Sequence, residues 1–240
     1  MSITADSVRT DDPINIVNFE TGATVKPGPM VTAVPERIVQ DDQLQAFAPE
    51  SGLNAPFVAD LLSAAIAHER SGVNLFRMLE RISANPLLIT EYKRLAGEAM
   101  TASKEWAALI TDLGGSPQYA SPPGRLTETM DQKIVESFQG TGSADPLSIE
   151  MAGVQAVLAA ATLCVAFVDA LQLLAKEASG PSGDRMKNAA RTLRPAAEEH
   201  VVWANKQMQM MVKQLAKHSA AQKIGQAAEH MVSKVKEKLS

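Results

Sequence analysis

The sequence predicts an all-α protein built on a four-helix bundle, and three observations carry that prediction. Alanine supplies 37 of the 240 residues while aromatic residues make up 4%, so the core forms by close approach of smooth helices and not by interlocking rings. The Val, Ile, Thr, Tyr and Phe enrichment of a β-sandwich or barrel is missing. Asparagine or aspartate with a proline just after it opens long segments, and glycine with proline closes them, which is helix punctuation.

Taken in order, residues 1–53 carry Pro13, Pro27, Pro29, Pro35 and Pro49 with no sustained period. They read as an extended arm, strapped onto the body or onto a neighbouring subunit. Asn54 with Pro56 opens a first helix that runs to about Ser83. Asn85–Pro86 opens a second, which stops at Gly114–Gly115 before Pro117. Asp145–Pro146 opens a third, ended by Gly180–Pro181. The fourth begins near residues 182–184 and runs past Gln214, with Pro195 expected to kink or interrupt its early part. These are helices of about 25–33 residues, roughly 37–50 Å each. The bundle spans residues 54–217. Residues 218–240 form a C-terminal amphipathic helix, with Ile224, Ala227, Met231, Val235 and Leu239 on one side and lysines elsewhere. Such a helix packs on the bundle, contacts another protein or lies on a membrane surface.

The connections set the topology. Only a few residues separate helices one and two, and likewise three and four, so each pair forms an antiparallel hairpin. About 30 residues, 115–144, lie between helices two and three, with Pro122–Pro123 and a short helical candidate at 127–138. A link of that length carries the chain from one end of a bundle back to the other.

Several functional classes are disfavoured by composition. A formal charge of −4 leaves no basic footprint for nucleic acid. The single cysteine, Cys164, excludes an intramolecular disulfide framework and a Cys-based zinc or iron–sulfur site. The polar, acidic opening lacks the pattern of a secretory signal, and together these features predict a cytoplasmic protein. Residues 151–168 are apolar enough to prompt a membrane test, but Asp169 follows directly and no other such span exists, so a buried central helix is expected. No Ser-His-Asp arrangement, Walker loop or dinucleotide fingerprint is present.

Spacings of three and four place Leu62, Ile66, Glu69, Val73 and Phe76 on the inner stripe of helix one, with His68 beside it in line with Ala65, Gly72 and Leu75. The stripe of helix four is Leu193, Ala197, His200 or Val201, Ala204, Met208, Met211 and Leu215; that of helix three is Met151, Val154, Leu158, Ala161, Val165 and Val168, with Glu150 and Asp169 at its edges. A buried carboxylate on one helix and a buried imidazole on another suit a metal or a paired acid–base site.

Three segments resemble the ferritin-like and bacterioferritin-like superfamily. Residues 65–76, Ala-Ile-Ala-His-Glu-Arg-Ser-Gly-Val-Asn-Leu-Phe, are similar to its first helix, whose Glu ligand precedes an aromatic by seven residues: here Glu69 and Phe76. Residues 109–117, Leu-Ile-Thr-Asp-Leu-Gly-Gly-Ser-Pro, resemble the end of its second helix. Residues 198–203, Glu-Glu-His-Val-Val-Trp, resemble the Glu-x-x-His segment of its fourth. Two hairpins joined by a long crossover is also its topology. The resemblance implies two iron or manganese ions held by one Glu and one Glu-x-x-His from each half.

Carried over by position, that set is incomplete. Ala99 and Ala102 stand at the second-helix ligand positions, Ala197 and His200 replace Glu-x-x-His, and helix three offers no inward acid. Glu69 and His200 remain as metal candidates, with Glu98, Glu199 and His68 beside them but about 100–200° around their helices from the family positions. Met100 is the only methionine near the family's haem-ligand position, and Cys164 reads as an inert buried thiol. The expected function is therefore a non-ferroxidase binding or assembly role. The alternatives are an iron- or manganese-dependent oxidase-type enzyme with shifted ligands, or a partner-docking component acting through the arm or the last helix. A homo-oligomer, dimer or larger, is expected.

Overall fold

The chain divides into two units, Met1–Thr32 and Ala33–Ser240. The computed structural model describes Arg37, residues 46–140 and residues 146–239, with the backbone alone for 215 and 217–239; all of these belong to the second unit. The N-terminal arm up to residue 36, Asp145 at the expected third cap, and the side chains of His218 and His230 lie outside the described residues.

A 3-10 turn at Pro49–Ser51 precedes five helices: α1 (Ala55–Ile82), α2 (Pro86–Asp112), α3 (Pro122–Gln139), α4 (Pro146–Glu177) and α5 (Gly180–Leu239). No strand occurs among the described residues, so the all-α class stands. The caps work as their residue types dictate. Asn54 Oδ1 accepts the Phe57 N–H (3.3 Å) and Asn85 Oδ1 accepts the Leu87 N–H (3.0 Å), each ahead of a first-turn proline. A third cap was not foreseen: Ser121 Oγ accepts the Gly124 N–H (3.0 Å) and Pro122 begins α3. The crossover helix thus starts five residues before the expected 127, because proline is favourable at the first helical position.

Residue pairs give the helix directions. Across α2 and α5, Tyr92 meets Trp203, Glu98 meets His200 and Arg185 reaches Asp112, so these two run antiparallel. His68 meets Ala160 while Leu79 lies by Gly153, so α1 and α4 are antiparallel too. α1 packs on α2, α3 and α4, while α5 packs on α4 and α2. α3 runs parallel to α1, from Ser121 beside Asp60 and Ser63 to Asp131 beside His68. It carries the chain over a length of about 27 Å between the ends of α2 and α4.

α5 is one helix through Pro195 and onward to Leu239. Neither the expected interruption at Pro195 nor a break at 217/218 occurs. Proline removes one intrahelical bond, but Pro195 faces solvent while Ala190, Leu193 and Ala197 anchor the same turns in the core. Around 217 the good helix formers Lys213, Gln214, Leu215, Ala216, Lys217, Ala220 and Ala221 outnumber His218 and Ser219, and no Gly or Pro stands there to stop the helix. The last stretch of the arm is tied to the body: Phe47 and Ala48 are buried, the Ala48 N–H donates to the Leu113 carbonyl (2.9 Å), and Ser179 N–H donates to Ser51 O (2.8 Å). A Cβ on Gly115 would lie 2.5 Å from the Phe47 ring, so only glycine lets the arm seat here.

The apolar interior is split. One cluster gathers Leu62, Ile66, Trp106, Leu109, Leu171, Met186 and Leu193; the other gathers Leu75, Phe76, Leu79, Tyr92, Leu95, Val154, Val157 and Ala204. His68 and Glu69 on α1, Cys164 on α4 and His200 on α5 fall between the two in sequence on every helix concerned. The buried line of α4 departs from expectation: Val154, Ala161 and Val168 are buried, but Met151, Leu158 and Val165 are half-exposed, and Glu150, expected at an edge, is buried. Pairing with α5 and α1 together turns the helix so that Gly153, Val157, Ala160 and Leu171 complete its inner face.

Close approach of α3 to α1 depends on Gly124, where a Cβ would sit 2.6 Å from Ser63 Oγ. That hydroxyl donates to the Tyr119 carbonyl (2.8 Å) and accepts the Ser121 N–H (3.1 Å), so it has no room to yield. Alanine ordinarily favours a helix over glycine by about 1 kcal/mol. Gly124→Ala is expected instead to destabilise by about 2 kcal/mol, lowering the melting temperature by about 4–8 °C in a thermal unfolding scan.

Candidate functional site

The polar residues between the two apolar clusters form two hydrogen-bonded groups with Glu69 between them. On one side, His68 Nδ1 donates to Asp131 Oδ2 (2.8 Å) and its Nε2 donates to the Ala160 carbonyl (3.0 Å). Both partners offer lone pairs, so the ring is placed to donate from both nitrogens, the arrangement that suits an imidazolium. Burial alone would lower its pKa, but the bond and charge of Asp131 and the Ala160 carbonyl outweigh it and hold His68 above its ordinary value. α1, α3 and α4 meet at this one ring. The space beside it is a cavity of about 10 Å³, enough for a single water at most.

On the other side, His200 Nε2 donates to Glu98 Oε2 (2.6 Å). Arg94 donates to Glu98 Oε1 (2.6 Å), to both oxygens of Glu199 (3.1 and 3.0 Å) and to Glu91. Burial pushes the Glu98 carboxyl up, yet the bonds from His200 and Arg94 prevail and hold it below the usual range. His200 is buried and Phe76 stands edge-on to it, while Glu199 is exposed. Glu69 is buried (8% exposed). Burial pushes its carboxyl above the usual range against the pull of His68, the Cys164 thiol and His200. Trp106 Nε1, buried beside it, also draws the carboxyl down, although it forms no hydrogen bond of full geometry among the described residues. Cys164 is half-buried, its thiol raised by desolvation and by Glu69.

Among the described residues, one set of His, Cys, Asp and Glu brings three donor atoms within 4.8 Å of one another: Glu98, Glu199 and His200. Glu69 and His68 fall outside it, and His200 turns to Glu98 instead of pairing with Glu69. Ala99 and Ala197 are buried where the resembling family has ligands, and Ala102 is partly buried. A Cβ on Gly72 would lie 3.9 Å from that of Ala99, so at this pair small size serves close contact of α1 with α2. The donor set does not fit a dimetal centre. Such a centre needs about six ligands, several of them carboxylates, whereas among the described residues Glu98, Glu199 and His200 alone converge and both carboxylates already face the Arg94 guanidinium. No protein-family model, curated protein or solved structure matches this chain.

Two residues that set this geometry, Arg94 and Asp131, were not legible as site residues. Arg94 lies in a charged helix face where Glu91 and Glu98 at three and four residues are ordinary surface pairing. Asp131 lies on the crossover helix, whose docking edge no periodicity reveals. Met100 is exposed. A second cavity of about 270 Å³ lies at the α1–α2 turn, lined by Asn85, Leu147, Glu150 and Met211 among others. Its one charged group, Glu150, is spent on Ser83 Oγ (2.7 Å) and on the Ala84 and Asn85 N–H groups (2.7 and 3.1 Å).

Proposed function

We propose that this protein is a ferritin-like four-helix bundle whose interior polar residues hold helices together, and that its role is binding or assembly and not dimetal oxidation. The antiparallel pairs α1–α2 and α4–α5, linked by the α3 crossover, support the ferritin-like reading. The observation that carries the functional reading is the position of Arg94. Its guanidinium sits among Glu91, Glu98 and Glu199, supplying the positive charge that a metal ion would bring to those carboxylates. Protein purified without chelator is expected to contain well under one equivalent of iron or manganese by elemental analysis. Stoichiometric metal that disappears in His200→Ala would overturn the proposal.

One arrangement favours the metal-dependent alternative, the three donors of Glu98, Glu199 and His200, and it yields a second test. Arg94→Ala removes the competing cation from a half-exposed network, so its stability cost is small, about 0–1 kcal/mol. The freed carboxylates are expected to bind Co²⁺ at least about tenfold more tightly than wild type in calorimetric titration. Equal cobalt affinity in the two proteins would mean that Arg94 does not hold the place of a cation.

A further inference from the structure

The cavity at the α1–α2 turn, about 270 Å³, far exceeds the one of about 10 Å³ beside His68. At about 30 Å³ of liquid per water molecule it has room for about nine waters, or for a small organic molecule of that size. Its walls come from three directions: Asn85 at the cap of α2, Pro146, Leu147 and Glu150 in the first turns of α4, and Met211 and Gln214 on α5. Leu147 is 52% exposed and Met211 partly so, which leaves an apolar wall open to water beside a buried carboxylate.

That carboxylate is unevenly used. Oε1 of Glu150 accepts from Ser83 Oγ (2.7 Å), Ala84 N–H (2.7 Å) and Asn85 N–H (3.1 Å), whereas Oε2 has only the same Ser83 hydroxyl at 2.9 Å. A hydroxyl carries one hydrogen. Once it goes to Oε1, the second oxygen keeps its lone pairs unmet, although the residue is only 6% exposed. Each of these partners is also neutral, so the charge itself is unpaired. Tyr92 feels that charge: its buried phenol has no hydrogen-bond partner among the described residues and is held above its ordinary pKa by burial and by Glu150. The α4 N-terminus brings about half a positive charge, less than the full unit on the carboxylate. Lys213 is exposed and lies away from the α5 face that carries Met211 and Gln214.

We infer that this cavity binds a small primary ammonium compound with a short apolar body, the ammonium donating to Glu150 Oε2 and the body lying on Leu147 and Met211. A buried charge is costly until it is paired, and a cation is the group that pairs it. A carboxylate ligand would meet the Glu150 charge, and an alcohol would leave it without a counter-ion. An ammonium has three hydrogens; one goes to Oε2 and the others stay hydrated at the open side, which limits the cost of desolvation. The inference gives the binding role a ligand class and does not depend on the metal reading. Glu98 lies thirteen residues along α2 from Asn85, about 20 Å, so metal content and amine binding fail separately.

The test is calorimetric titration of the full-length chain, at about pH 7 and about 150 mM salt to screen its acidic surface, with n-hexylammonium, n-hexanol and hexanoate. These share a chain length and differ in head group. Hexylammonium is expected to bind once per chain with Kd of about 1 mM or below, at least about tenfold more tightly than hexanol or hexanoate. Glu150→Gln keeps an oxygen for the two N–H groups and removes the charge, and is expected to weaken hexylammonium at least about tenfold. Should that variant fail to fold, Leu147→Lys decides. At this exposed position, three residues before Glu150 on the same helix, the new side chain brings its own ammonium to the carboxylate and is expected to abolish hexylammonium binding. The inference is overturned by no saturable binding up to about 10 mM, or by hexanol or hexanoate binding as tightly as hexylammonium. Hexylammonium binding untouched by a folded Glu150→Gln, or by Leu147→Lys, overturns it too.

Discussion

Replacing Asp131 with alanine is expected to cost about 3 kcal/mol at pH 6, because it strands a buried imidazolium that three helices share. The His68 ring is buried and Asp131 mostly so, with side-chain exposures of 3% and 13%, so solvent screens the contact little. The pH dependence carries the sharper signature. His68 has a folded-state pKa above the 6.5 of the free group. Its stabilisation is therefore complete below pH 6.5 and is lost as the pH rises through the folded value. In Asp131→Ala burial dominates and depresses the pKa, so the sign reverses and stability falls as the pH drops below 6.5. Denaturant unfolding of both proteins between pH 5.5 and 8 reads the two slopes. Parallel slopes would show that Asp131 does not hold His68 charged.

Glu150→Ala is expected to destabilise by a comparable amount, about 3 kcal/mol, because it leaves two N–H groups of the α1–α2 turn without their acceptor at about 1–3 kcal/mol each. The carboxylate accepts from Ser83 Oγ, Ala84 N–H and Asn85 N–H, serving in effect as a cap reached from another helix. Ser83→Ala removes only the hydroxyl donor and should cost about 1 kcal/mol. Amide hydrogen exchange at Ala84 and Asn85 should accelerate in Glu150→Ala and stay near wild type in Ser83→Ala. If both variants exchange alike, Glu150 is not the residue that closes the turn.

What could be read in advance was what depends on neighbours along the chain. Asn54 and Asn85 capped where expected because a cap is a contact over two or three residues. On the inner stripe of α1, Leu62, Ile66, Glu69 and Phe76 are buried and Val73 is half-buried, because one helix face repeats every three to four residues. The stripe of α4 was half wrong for a matching reason. Its residues are apolar almost all round, so periodicity could not tell which side faces the core, and Glu150 went to an edge. His68, which spacing places beside the inner stripe, is bonded through both ring nitrogens to α3 and α4.

The sequence by itself determined the helical class, the helix starts at Asn54 and Asn85, the hairpin connections and the alanine-smoothed packing, since all of these follow from local propensity and spacing. Only the tertiary structure decided that Arg94 faces Glu98 and Glu199, that Asp131 meets His68 across 63 residues of chain, and that Glu150 of α4 closes the α1–α2 turn. Those outcomes rest on which faces of separate helices are turned together. That rotation is set by the summed packing of whole surfaces and leaves no mark in any short stretch of residues.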